Sequence, residues 1–435
     1  MQSKSWFQRY FGSKPTKKSS RRAAPNIPVG TSNQTRDTAS FPRFKGLSRE
    51  ERLRSPQGAA TRTLLSRAFT PAQPVSDLSR FAGRTKLLNR MISAVEDQGM
   101  HLVVFGDRGI GKTSLLHVLA ILAKDARYLV RYASCSESST FDSLFRAVAR
   151  DVPLLYHAGY DPSSLEVERD RSLGDILGED PVTPASLSEE LVKLTGTKLL
   201  IILDEFDRSP DQGFRDKVAE LIKSLSDRSA RVQLVIGGVA LNLSELVAHV
   251  PSIRRNVLGI AVAGMAPDEL GQIIANGETI GNFSFENATR DLLIEMSNGS
   301  PYLANLLGQY SARTALENDR RVISSQDLRG AVELVLDDMH SRLSPTAQAQ
   351  LNCLEAKIKP TSLFAAGRFA QKNFGLLPED MVKEIIATLG ADSRQWQGTD
   401  GQFLFCDDSI PQILALKYWP DAGMAPSDVT TVAQE

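Results

Sequence analysis

The sequence predicts an α/β fold: a layered parallel sheet, an all-helical segment behind it, and a small domain at the C-terminal end. Three observations carry this. Short apolar runs alternate with amphipathic helical patterns between Phe81 and Val262, as parallel βαβ units require. One run, His101–Phe105, leads directly into the glycine-rich stretch Gly106–Thr113 and then into a helical pattern. Another, Leu199–Leu203, is apolar without a break, as expected of a central strand covered on both faces, and ends in two adjacent carboxylates, Asp204 and Glu205.

Taken in order, residues 1–75 show little periodicity and are rich in Ser, Thr, Pro, Arg and Lys, so a disordered basic tail is expected. Met1–Thr70 holds 15 Lys and Arg against 3 Asp and Glu, which leaves 36 against 48 for the rest of a chain of zero formal charge. The densest basic cluster, Lys14–Arg22, suits nucleic acid or an anionic membrane. Trp6, Phe7, Tyr10 and Phe11 suit an amphipathic start, and an Arg- and Ser-rich, acid-poor N-terminus also suits a transit peptide or an inert tail. Order is expected from Phe81, with a helix placing Leu87, Leu88, Met91, Ile92 and Val95 on one face. Arg127–Ala133 reads as a second strand and Phe141–Val152 as a helix. Leu154–Ser186, rich in Asp, Glu, Gly and Pro, reads as an exposed insertion. A helix over Leu187–Leu194 precedes the acidic strand. Phe214–Leu225 follows as an amphipathic helix, Val232–Val239 as a fourth strand, Leu243–Val250 as a helix and Val257–Val262 as a fifth strand. These elements make one parallel α/β domain over 76–264.

From 265 to 338 no strand is expected, only helices over Pro267–Ala275, Phe285–Met296, Tyr302–Leu316 and Ser325–Leu336. Residues 339–420 look like a winged-helix domain, with helices at Pro345–Ala356, Pro360–Gln371 and Pro378–Leu389. Gln395–Gln397 and Phe403–Cys406 would form its hairpin and Ser409–Tyr418 its closing helix; 421–435 reads as a flexible tail. The winged-helix region carries eight basic and eight acidic residues, and its third helix has Glu379, Asp380 and Glu384 against Lys383. That balance speaks against strong base reading and for a protein-docking surface.

The chemistry concentrates at the two strand ends. Gly106, Asp107, Arg108, Gly109, Ile110, Gly111, Lys112 and Thr113 form the full G-x-x-x-x-G-K-T pattern between strand and helix, with Ser114 next. Its glycines let backbone N–H groups face phosphate oxygens, and the helix adds its N-terminal amides. Lys112 can reach β- and γ-phosphates and the Thr113 hydroxyl can ligate Mg²⁺. Asp204 is the natural partner of that ion. Glu205 is the natural group to polarise a water for attack on a γ-phosphate. Cys135, Cys353 and Cys406 show no metal-ligand spacing, so a reduced, cytoplasmic chain is expected. No apolar run approaches the roughly 18 residues of a membrane span.

From Phe81 to Leu336 this pattern resembles an AAA+ P-loop ATPase, a parallel sheet with a helical lid, in the branch shared by replication initiators and STAND signalling ATPases. The resemblance rests on Phe81-Ala82-Gly83-Arg84, on the two nucleotide motifs and on Gly299-Ser300-Pro301. It implies ATP and Mg²⁺ as cofactors, Gly83, Arg84 and Pro301 near the nucleotide, and a homo-oligomer. Arg255, with Arg254 as its alternate, resembles the arginine such proteins offer to a neighbour's nucleotide. Two features depart from the family. The fourth strand ends Gly237-Gly238-Val239-Ala240 with no polar sensor, Asn242 coming late, and the lid has no sensor arginine at its Gly-Ser-Pro turn, Arg313 lying further along. Slow hydrolysis is therefore expected. The resemblance leaves three functions open: an ATPase switching or driving a protein or DNA partner, a non-catalytic ATP-binding adaptor, or a DNA-binding replication or transposition ATPase.

Overall fold

The computed structural model describes residues 64–75, 77–160, 171–209, 211–240, 253–397 and 402–419. The basic cluster and aromatic residues of the tail, the helix expected over 243–250, Asn242, the 398–401 turn and the 421–435 tail lie outside the described residues.

Five strands make one parallel sheet in the order β2-β3-β4-β1-β5: β1 His101–Phe105, β2 Leu129–Ser134, β3 Leu199–Asp204, β4 Val232–Gly238 and β5 Val257–Ala261. Helices cover both faces, α1 (Thr85–Glu96) and α2 (Lys112–Asp125) on one, α3 (Phe141–Arg150), α4 (Leu173–Leu177), α5 (Pro184–Leu191) and α6 (Gln212–Asp227) on the other. The alternation of β3 shows how the sheet is held. Leu199, Ile201 and Leu203 pack with Phe145, Leu187 and Leu221, whereas Leu200 and Ile202 pack with Met91, Leu115 and Leu119. Every residue from Leu199 to Leu203 is buried, which is why the strand reads as an unbroken apolar run.

A helical layer follows: α7 Pro267–Gly281, α8 Asn287–Ser297, α9 Pro301–Glu317 and α10 Ser325–Arg342. It contains a small parallel pair absent from the sequence expectation, β6 Ser284–Phe285 with β7 Val322–Ile323, two residues per strand and too short for a period to register. The C-terminal helices α11 Pro345–Lys357, α12 Pro360–Lys372, α13 Glu379–Leu389 and α14 Ser409–Lys417 share one continuous apolar core with that layer.

Four expectations need correction. The tail was expected to be disordered to residue 75, but 64–68 form a helical turn and Leu65, Ala68 and Phe69 are buried in the lid core. Their i, i+3, i+4 spacing is an apolar stripe at the end of a polar tract. The stretch read as an exposed insertion buries Leu154, Leu173 and Val182, because α3, α4 and α5 pack on one another and bring them inward. Helix α5 starts at Pro184 rather than 187, since Thr183 caps it through the Ser186 N–H at 3.1 Å and Pro184 takes the first turn. The hairpin expected in the C-terminal region is a single antiparallel bridge, Gln397 to Phe403. Residues 390–396 form a 3₁₀ helix instead, with Trp396 and Ser393 buried and the Ser393 hydroxyl donating to Gly390 O at 2.7 Å.

Candidate functional site

The glycine-rich loop leaves β1 with left-handed backbone at Gly109 (φ 72°) and Gly111 (φ 94°), the latter serving as the residue before α2. Those angles need glycine and turn the loop around an open space above the helix N-terminus. Lys112 is buried, and its Nζ donates to Gly106 O at 2.9 Å and Asp107 O at 2.7 Å. Burial lowers its pKa, against the opposing charges of Asp207, Asp107, Asp204 and Asp408. Thr113 and Arg108 line the same cavity, of about 770 Å³, while the Ser114 hydroxyl accepts the Val75 N–H at 3.1 Å.

Two strands away, β3 ends at the same cavity. Asp204 is buried. Its Oδ1 accepts the Glu205 N–H at 2.8 Å and its Oδ2 the Tyr132 hydroxyl at 2.6 Å. Burial and that bond raise the Tyr132 pKa, so the ring stays a donor. Glu205 has φ 54°, a left-handed conformation that costs a side-chain-bearing residue about 1–2 kcal/mol. It stands exposed and pairs with Arg208 at 2.9 Å. The next acid, Asp207, accepts the Val239 N–H at 2.8 Å and ties the end of β3 to β4. Cys135, beside these acids, is buried and its thiol is pushed up to about 12 by burial first and then by Asp204, so it is a packing residue and not a nucleophile.

The remaining candidates reach the loop from outside the sheet. Arg84 is buried, with its pKa lowered to about 10 by burial against the Glu269 charge; it donates to Ala263 O at 3.1 Å. Its Nη1 lies 3.2 Å from where a β-carbon on Gly111 would sit, and Pro301 Cγ lies 3.6 Å from that point. The first lid helix holds this turn: Glu269 accepts the Arg84 and Ala266 N–H groups and Gln272 accepts that of Gly83. Pro301 opens α9, capped by Ser300. The structure therefore brings Gly83, Arg84, Pro301 and the loop together with Asp204 and Glu205. Arg254 and Arg255 do not join them. They are exposed just before β5, at the end of the sheet where β1 begins, about 16 Å of strand from the loop.

Thr113 and Asp204 fit a hard cation. Among the described residues no group of three His, Cys, Asp or Glu could cage a metal. An ion held by one hydroxyl, one carboxylate, water and phosphate oxygens is the arrangement Mg²⁺ prefers. Three features of the site were not foreseen. Tyr132 sits on β2, two register positions before the residue paired with Asp204. Asp408 lines the cavity from the C-terminal helices, and residues 70–75 line it from the N-terminal side. Only Tyr132 left a local trace, a polar aromatic two residues after the apolar Val130 on the face toward α2.

Residues 80–236 match the family model described as an AAA ATPase domain, and the parallel sheet with its helical layers is the P-loop fold class expected from the sequence. Among solved structures, the chain is similar to the Thermotoga maritima RuvB Holliday junction branch migration motor (15% identity, 76% of this chain and 94% of that one, TM-score 0.42). Others are Cdc6p from Pyrobaculum aerophilum (17%, 82% and 88%, TM-score 0.45) and the Aeropyrum pernix Orc1 protein in complex with DNA (18%, 82% and 96%, TM-score 0.43). No curated protein matches the chain significantly.

Proposed function

From the AAA ATPase domain at residues 80–236 we infer that this chain binds Mg-ATP and hydrolyses it to switch a partner-binding conformation. The observation that carries this is the opening of the Lys112–Thr113 loop and the Asp204–Glu205 strand end into one cavity. Loop amides and Lys112 bind the phosphates. Thr113 and Asp204 would hold Mg²⁺, which would supply charge neutralisation at the phosphate oxygens. Glu205 accepts the proton of the attacking water once it leaves Arg208. Tyr132 keeps Asp204 in place through the 2.6 Å bond. Arg255 of a neighbouring copy supplies a further guanidinium, to the transferring phosphoryl group, beside the Arg84, Arg108 and Arg208 that line the chain's own cavity.

A second reading, in which ATP only fixes a conformation, is favoured by the end of β4. A β-carbon at Gly237 would lie 2.5 Å from Leu116 Cδ1 and 3.1 Å from Asp204 Oδ1, so a sensor side chain there would have to displace Leu116 and crowd Asp204. Partners are proposed on composition: nucleic acid for the basic N-terminal tail and a protein for the C-terminal helices, with a cytoplasmic site of action. Among the described residues no helix is long and apolar enough to cross a membrane.

Calorimetric titration with Mg-ATP, paired with a steady-state phosphate-release assay, tests both readings. Lys112→Ala should abolish binding. Glu205→Gln should keep binding and lose about 10²–10⁴ in turnover. Unchanged binding in Lys112→Ala would refute the site, and equal turnover in parent and Glu205→Gln would favour the non-catalytic reading.

A further inference from the structure

The C-terminal helices reach the phosphate loop. Asp408, immediately before α14, lines the cavity together with Arg108 and Lys112 and is accessible through it. Burial first, and then Asp407, raise its pKa, while the charges of Arg108 and Lys112 pull the other way. On the loop itself, the Asp107 carboxylate faces the backbone N–H of Phe374, in the turn after α12. That turn has left-handed backbone at Phe374 (φ 57°) and Gly375 (φ 73°). Asp107 is pushed up to about 6, by burial first and by the nearby Asp408 charge second. Helix α12 is fixed to the lid by Asn298, whose Nδ2 donates to Arg368 O at 3.0 Å and to Gln371 Oε1 at 2.7 Å. Two carboxylates, one from the loop and one from the C-terminal helices, thus stand by the cations that a polyphosphate would need.

We propose that Asp408 is a further residue of the phosphate site, supplied by the C-terminal helices, and that it opposes polyphosphate for as long as those helices are docked. The proposal rests on the nucleotide reading of the loop and adds what that reading omits: a negative charge the ligand must overcome. A polyphosphate takes over Arg108 and Lys112, leaving Asp408 and Asp107 beside like charge, which costs free energy. By linkage, the factor by which docked helices weaken phosphate binding is the factor by which bound phosphate weakens docking. The selectivity is against phosphate charge, so triphosphate is disfavoured more than orthophosphate.

The test is titration of the full chain with Mg-ATP, in the parent, in Asp408→Asn and in Lys112→Ala, with hydrogen exchange followed at 370–376 and 402–409. Asp408→Asn removes the charge and keeps the shape. It should tighten ATP binding by about tenfold, within the ordinary range of coupling between sites. ATP should speed exchange in both segments of the parent, and less so in Asp408→Asn. An unchanged or weaker affinity in Asp408→Asn, where Lys112→Ala abolishes binding, would overturn the role of Asp408 alone. Slower exchange at both segments on adding ATP would overturn it too, whatever the affinities. Binding indifferent to both substitutions would overturn the phosphate-site reading with it.

Discussion

His101 is the first residue of β1 and is buried. Its Nδ1 accepts the Leu234 N–H at 2.9 Å, which puts the proton on Nε2, 3.1 Å from the Ser226 hydroxyl. The ring thereby replaces a backbone acceptor at the start of the ladder between β1 and β4. Burial lowers its pKa to about 4, so the folded chain holds that proton more weakly than the unfolded one. The unfolded state takes up more protons between about pH 6.5 and 4, and stability falls as pH drops through that window, by roughly 3 kcal/mol for this group. His101→Asn retains an acceptor for Leu234 and does not titrate. Urea unfolding at a series of pH values should show the acid loss in the parent and a flatter profile in the variant. A parallel pair of profiles would show that His101 is already charged in the folded chain. At this scale legibility followed sequence proximity. Gly106 to Thr113, and Asp204 with Glu205, stand side by side in the sequence and announced themselves. Tyr132 bonds Asp204 from 72 residues away and Asp408 joins the cavity from about 300 residues beyond the loop; nothing local marks Asp408, and Tyr132 shows only as a polar aromatic in its strand.

The element that the sequence concealed is the segment 64–75. Phe69 is fully buried, with its ring 6.0 Å from Phe283 and edge-on to Phe285 at 6.5 Å. Its carbonyl accepts from Gln309 at 3.0 Å, and Thr70 N–H donates to Asn305 at 3.3 Å. Two helices make room for the ring with glycine: a β-carbon at Gly277 would lie 2.4 Å from Phe69 Cζ, and one at Gly308 2.8 Å from the same atom. Neither helix declares this socket, because a mid-helix glycine looks like a weakness of about 1 kcal/mol until its neighbour is known. The compositional reading failed for the same reason; three buried apolar residues at the end of a tract rich in Ser, Thr, Arg and Lys are too few to change its overall character. Phe69→Ala should cost about 3–5 kcal/mol of stability and weaken ATP binding, since residues 70–75 wall the cavity. Gly277→Ala should destabilise despite its better helix propensity, by about 1–3 kcal/mol. In Phe69→Leu the same change should cost less. Denaturant unfolding of the four chains forms the double-mutant cycle, and additive costs would mean that ring and glycine do not touch.

At the scale of the molecule, the sheet and its order were legible because each strand is a short apolar run between helical patterns. The sharing of one core by the lid and the C-terminal helices was not, since periodicity tells which face is buried and not against what. The separation of Arg255 from the loop bears on assembly. If a neighbour's Arg255 completes the site, specific ATPase activity should rise with protein concentration, and Arg255→Ala should bind ATP normally while losing about 10³ or more in turnover. Mixing Arg255→Ala with Glu205→Gln should restore part of the activity at mixed interfaces. Activity independent of concentration, with no rescue on mixing, would instead describe a monomeric switch.

The common core of the lid and the C-terminal helices has a mechanical consequence. Close-packed interiors transmit strain instead of absorbing it, so a rotation of α7 about the short connection from β5 to Met265, where the Met265 N–H meets Gly299 O at 2.9 Å, would carry α8 to α14 with it. A small rotation at that pivot becomes a wider arc at the far helices. Under the switching function proposed above, the acidic face of α13, with Glu379, Asp380 and Glu384, would be the pointer of a geared instrument whose dial is set at the phosphate loop.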